Sequence, residues 1–179
     1  MIPDLDDWID KPLLRVRHQR ESSASAQELW SSAQQVRLRD AGRLGRLVRW
    51  RIPGLAPELS FGELFRSEPF IVLREEPGAY LVSGLVGRIW TLRRDYPRLT
   101  GSDEFLHWSR RGTARVLFAN SVSSGEGSGA VLTSEARVDA FGVQGRVGVR
   151  AVRPLVRAFG PLVGSEGIAA AVRLAEDAR

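Results

Sequence analysis

Residues 13–22, LLRVRHQRES, alternate: Leu14, Val16, His18 and Arg20 share one face and Leu13, Arg15, Arg17 and Gln19 the other, the two-residue period of a strand. In the SASAQELWSSAQQV that follows, Ser25 precedes Glu28 by three, the spacing at which serine and glutamate satisfy each other's orphan helix-end amides. A helix is predicted from there, with Leu29, Ala33 and Val36 on one side and Trp30 beside them. A second short helix is predicted over 40–50, where Ala41, Leu44, Leu47 and Val48 recur at helical spacing before Pro53-Gly54. Residues 55–68 lose the pattern and read as irregular or as a weak strand. PFIVLREE at 69–76, a Pro77-Gly78 turn and AYLVSGLV at 79–86 predict a hairpin. Further strands are predicted near Ile89–Arg93 and at 103–108, then a long pair, 113–122 and 129–139, joined by SSGEGS. Helical spacing returns with Val149, Val152, Val156 and Phe159, then Ile168, Ala171, Val172 and Ala175, in a helix that Pro154 and Gly160-Pro161 with Gly164 should kink or split.

This order predicts an α+β fold: a curled antiparallel sheet of about seven strands, two short helices after the first strand, and a long C-terminal helix across the open side. Residues 1–179 are expected to form a single domain, with 1–11 as a flexible acidic N-terminal segment. The start, MIPDLDDWID, has neither the basic end nor the apolar centre of a secretory signal, and no apolar run is long enough to span a membrane, so a cytoplasmic location is expected. Zero cysteines and two histidines, His18 and His107, leave little material for metal chemistry, and no cofactor motif is present. "GEGSG" at 125–129 is a hairpin loop rather than a phosphate cradle because no helix follows it.

Charge changes the picture only locally. Residues 11–51 hold ten Lys/Arg against Glu21, Glu28 and Asp40, but a net charge of +5 is too small to argue nucleic-acid binding, and none is expected. Arg39, Arg43 and Arg46 recur at four and three and would form a cationic stripe on a helix. That stripe is either a solvated face or an anion site for a phosphate, an acyl-carrier protein or another acidic partner. Nothing in the sequence specifies an oligomeric state.

The N-terminal strand followed by "ELW", the segments "GRLVRWRIPG" and "GLVGRIW", the paired long strands, and "VRPLVRAFGPLVG" with "AAAVRLAE" together span nearly the whole chain. In these features the chain resembles the helix-grip proteins of the START, polyketide cyclase and pollen-allergen superfamily called SRPBCC, in an uncharacterised bacterial branch. The resemblance implies a cavity between the curled sheet and the final helix.

Within that frame Gly84 and Gly87 would let the sheet bend around a hollow and turn Trp90 toward it, or Trp90 would simply fill a loosened core. His18 would either find a buried partner or meet a ligand, as an orienting group or an acid/base. Asn120 follows Val116 and Phe118 on one strand face, and Ser134 sits between Leu132 and Ala136 on the next; both need polar partners, from neighbouring strands, water or a ligand. Tyr80 presents a hydroxyl, His107 and Trp108 end a predicted strand near the cavity mouth, and Phe159 is a candidate ligand contact on the predicted C-terminal helix. The leading expectation is binding of a hydrophobic small molecule, lipid-like, aromatic or polyketide-like, in a cavity of roughly 300–1,000 Å³. The alternatives are a polyketide cyclase, aromatase or dehydratase pairing His18 with Tyr80 or Glu135, and a partner-binding module using the arginine stripe.

Overall fold

The computed structural model describes residues 4–42, 46, 49, 54–91, 95–125 and 129–177, with 154–166 described by backbone alone. Five strands form one antiparallel sheet: β1 (Leu14–Ser22), β2 (Ile71–Glu76), β3 (Tyr80–Gly87), β4 (Thr113–Ser124) and β5 (Ala130–Phe141), in the order β1-β5-β4-β3-β2. The helices whose bounds fall among the described residues are α1 (Ala26–Gln35), α2 (Phe61–Leu64), α3 (Ser102–Leu106) and α4 (Gly142–Asp177). α4 crosses the concave side of the curled sheet and packs on β1, β5, β4 and α1, a helix-grip arrangement of the α+β class.

Local chemistry explains most of these elements. Ser25 Oγ accepts from the Glu28 amide at 3.3 Å while Glu28 Oε2 accepts from the Ser25 amide at 2.9 Å, closing the N-terminal turn of α1. Pro77-Gly78 occupies the centre of the β2–β3 turn, where Ala79 N donates to Glu76 O at 3.0 Å and Gly78 has φ +81°, a conformation that suits glycine. Alternating side chains and the Gly125–Gly129 closure carry β4 and β5 through twelve paired residues, from Thr113↔Phe141 to Ser124↔Ala130.

The expectation of about seven strands is corrected to five among the described residues. Residues 103–108 are mostly helix, and Glu104 ties the first turn back to Thr100, its Oε2 accepting from Thr100 N at 2.7 Å and Thr100 Oγ1 at 2.9 Å. Ile89–Thr91 are non-strand, and the rest of the strand expected at Ile89–Arg93 lies outside the described residues. In 55–68 the short helix α2 replaces the weak strand, started by a second Ser/Glu capping box at Ser60 and Glu63. The helix expected over 40–50 lies mostly outside the described residues. α4 runs as one element from Gly142 to Asp177 rather than splitting at Pro154 or Gly160-Pro161.

Both faces of the sheet are covered. On the concave side one apolar cluster gathers Leu29, Trp30, Leu81, Val122 and Leu132 with Ile168, Ala171 and Val172 of α4. A second gathers Leu14, Leu85, Val116 and Val138 with Val149 of α4, and Trp90 and Phe118 pack against it. On the convex face Leu5 and Ile9 of the N-terminal segment and Phe105 of α3 pack with Tyr80, Val82, Val86 and Leu117. The segment expected to be flexible thus packs as a strap over the outer face from Leu5 onward.

The glycines of β3 serve that packing. A Cβ on Gly84 would sit 2.6 Å from Phe105 Cε2, so the missing side chain admits Phe105 on the convex face. Gly87, at φ +149°, lies where the chain returns along Asp95 and Tyr96. Trp90 is instead seated on Gly148 of α4, whose Cβ would overlap the indole ring. Trp90 thus packs on the concave side, in the position expected for it, while Gly84 and Gly87 make room for Phe105 and for the returning chain at Asp95 and Tyr96.

Candidate functional site

Pairing register brings three polar side chains into line. His18 of β1 faces Ser134 of β5, Ser134 faces Asn120 of β4, and Asn120 faces Leu81 of β3. The row beside it runs Val16, Ala136, Phe118, Ser83, and the row on the other side Arg20, Leu132, Val122. Strand alternation puts all three rows on the concave face, because Phe118, Leu132 and Val122 belong to its clusters. At roughly 4.8 Å between strands, the polar row is about 10 Å long. It falls between the two apolar clusters.

One atom of the row and one beside it are left unsatisfied. His18 Nε2 is buried with no hydrogen-bond partner. Ser83 Oγ, in a residue 0% exposed, is also without one. An orphaned buried polar group costs about 1–3 kcal/mol, so native proteins rarely keep one without a use. Beside Ser83, Phe118 packs against Phe65 and Phe70 at ring separations of 5.4 and 5.7 Å, an aromatic wall at the end of the row. Ser83 was missed from sequence; the signal was a single polar residue within YLVSGLV.

The other expected site residues are distributed elsewhere. Tyr80 is on the convex face beside Val82 and Val86, so its hydroxyl cannot serve the concave row. Glu135, next to Ser134 along the strand, also points outward. Pairing His18 with Tyr80 or Glu135 is therefore corrected: the sheet stands between them. Trp108 packs against the convex cluster and donates from Nε1 to Thr113 Oγ1 at 2.9 Å, while His107 is exposed with Nδ1 2.9 Å from Asp103 O. Both follow a helix. The Phe159 side chain and Arg43 lie outside the described residues; Arg46 is exposed, and Arg39 Nη1 donates to Glu58 Oε1 at 2.7 Å.

Glu135 anchors an ion network that sequence reading did not find. Arg15 binds it through Nε at 2.8 Å and Nη2 at 3.0 Å, and Arg137 through Nε at 2.6 Å. Arg137 also donates to Asp6 and, at 2.7 Å, to Ile9 O, which ties the N-terminal strap to β5. Burial works against ionisation of Glu135, but hydrogen bonds from Arg15 and Arg137 outweigh it and hold the carboxyl below its ordinary range. Burial likewise opposes the Arg137 charge and is overcome by Glu135 and Asp6, so its pKa is raised.

Among the described residues no helix is long and apolar enough to cross a membrane. No family model matches the chain, and no curated protein matches it. Solved structures with a similar arrangement include truncated norcoclaurine synthase from Thalictrum flavum, 13% identical over 90% of this chain and 92% of that one, with a TM-score of 0.46. Protein MLL2253 from Mesorhizobium loti is 12% identical over 93% of this chain and 99% of that one, with a TM-score of 0.42. CalU16 from Micromonospora echinospora is 16% identical over 91% of this chain and 84% of that one, with a TM-score of 0.30. Each is a distant likeness of chain path, and the functional reading rests on the side chains described above.

Proposed function

We propose that the chain binds a hydrophobic small molecule between the concave face of the sheet and α4, as an SRPBCC-type helix-grip protein would, with His18, Ser134 and Asn120 meeting the ligand's polar group. The observation that carries this reading is the buried, unpartnered His18 Nε2 in a polar row flanked by apolar clusters. Magnitudes divide the work. Each buried methylene contributes about 0.8 kcal/mol, whereas one hydrogen bond adds about 0.5–1.5 kcal/mol net, so apolar burial supplies affinity and the polar row supplies orientation. Trp90 and Phe118, with Phe159 proposed from α4, contribute apolar contact. The cyclase-type alternative needs an acid or base beside His18, and its two expected partners stand on the far side of the sheet.

Native mass spectrometry of freshly purified protein, followed by titration with a panel of fatty acids and fused-ring aromatics, tests the proposal. Expected is an adduct or saturable binding that weakens in His18→Leu. A clean apo mass and no binding across the panel would overturn it.

A further inference from the structure

The convex face holds an open cleft of about 240 Å³ between the N-terminal strap and strands β1, β3, β4 and β5. Its lining is balanced in charge, with Arg15, Arg17 and Arg137 against Asp4, Asp6 and Glu135. Two of these, Glu135 and Arg137, are each 5% exposed, so the floor of the cleft is a fixed ionic lattice rather than a mobile surface.

Most of that charge is already engaged. Glu135 is saturated by Arg15 and Arg137, and Arg137 is further bound to Asp6 and Ile9 O. Arg17 is engaged least: its Nε forms an ion pair with Glu135 Oε2 at 3.9 Å, too long for a hydrogen bond, so its guanidinium donates no hydrogen bond to the described residues. On the strap, Asp4 Oδ1 accepts from the Asp6 amide at 2.9 Å, and the carboxylate has no other hydrogen bond or ion pair among the described residues. Tyr80 and Ser121, cross-strand partners that are each 95% buried, line the cleft, and their hydroxyls hydrogen-bond to none of the described residues.

We propose that this cleft is a second binding site, for a small zwitterion such as a free amino acid, whose carboxylate is taken by Arg17, whose ammonium is taken by Asp4, and whose polar atoms meet the Tyr80 and Ser121 hydroxyls. A guanidinium fork matches a carboxylate in two parallel hydrogen bonds. With the lining neutral overall, a ligand carrying one charge of each sign satisfies both free groups, whereas a simple anion leaves Asp4 opposing it. At about 240 Å³ the cleft falls below the roughly 300–1,000 Å³ of pockets for drug-sized ligands, a size that suits a smaller guest such as an amino acid. This site is separated by the sheet from the concave face and does not depend on what binds there.

Calorimetric titration of the full chain with L-serine and L-glutamine tests it, with acetate and methylammonium as single-charge controls. The informative variants are Arg17→Gln and Tyr80→Phe, which remove a half-exposed guanidinium held by one long ion pair and a hydroxyl bonded to none of the described residues, and so should shift the thermal midpoint little. Expected is saturable binding of at least one amino acid, weakened about tenfold or more in Arg17→Gln and several-fold in Tyr80→Phe. Three outcomes overturn the proposal: no saturable heat with either amino acid up to about 10 mM, equal binding in Arg17→Gln, or acetate binding as tightly as the amino acids.

Discussion

Replacing His18 by leucine separates a ligand contact from a packing residue. Leucine has similar volume and no polar atom, so in the ligand-free protein it removes the orphaned Nε2 and adds apolar contact on the concave face. Relief of a buried unsatisfied group amounts to about 1–3 kcal/mol. The ring is only partly buried, which places the expected gain near the lower end. An unfolding entropy of about 2.1 cal/mol/K per residue gives about 0.38 kcal/mol/K for 179 residues, so a gain of about 1 kcal/mol raises the midpoint by roughly 3 °C. Differential scanning calorimetry on both proteins, stripped of ligand by unfolding and refolding, reads this directly. His18→Leu should melt higher than the parent while binding the panel compounds more weakly. A fall of about 3 °C or more in the ligand-free state would mean that His18 holds a structural hydrogen bond in solution, and the argument for a ligand at the polar row would fail.

The Glu135 network makes stability depend on acid. Because the folded-state pKa of Glu135 is held below its unfolded value near 4.5, its contribution is complete above that pH and is lost as pH falls through the lower folded value. Urea midpoints followed from neutrality to about pH 3 should drop steeply in the parent and less so in Glu135→Gln. At neutral pH, Glu135→Gln should cost about 3 kcal/mol by urea titration, since it leaves the buried Arg137 guanidinium with only Asp6 and Ile9 O. Gly84→Ala should cost about 1–3 kcal/mol in chemical denaturation, because the added methyl meets the fully buried Phe105 ring and forces it out of its seat. Ser25→Ala should cost about 1 kcal/mol in the same assay through loss of the α1 cap, and Ser25→Asp should restore most of it.

Much of the chain is legible because its signals are local. The capping pair Ser25/Glu28, the Pro77-Gly78 turn and the alternation of β4 and β5 each act within a few residues, and each forms as the sequence predicts. The same logic was available for Ser60/Glu63 and was obscured by the apolar SFGELF around it. Residues 103–108 went the other way: DEFLHW has the composition of a strand, but the Glu104–Thr100 hydrogen bonds and the seat for Phe105 over Gly84 favour a helical turn.

What sequence alone determined is which side chains share a face: His18 with Val16, Ser134 with Ala136, Tyr80 with Val82. What only the tertiary structure decided is which of the two faces each set occupies. Alternation reveals the inward side when the outward side is polar, and in this sheet both sides are buried, one under α4 and the other under the strap and α3. β3 is buried at all eight positions, so its pattern carries no sense of inside and outside. Tyr80 and Glu135 were therefore readable as neighbours of His18 until the packing of segments distant in the chain, Leu5 and Ile9 above all, assigned them to the other side of the sheet.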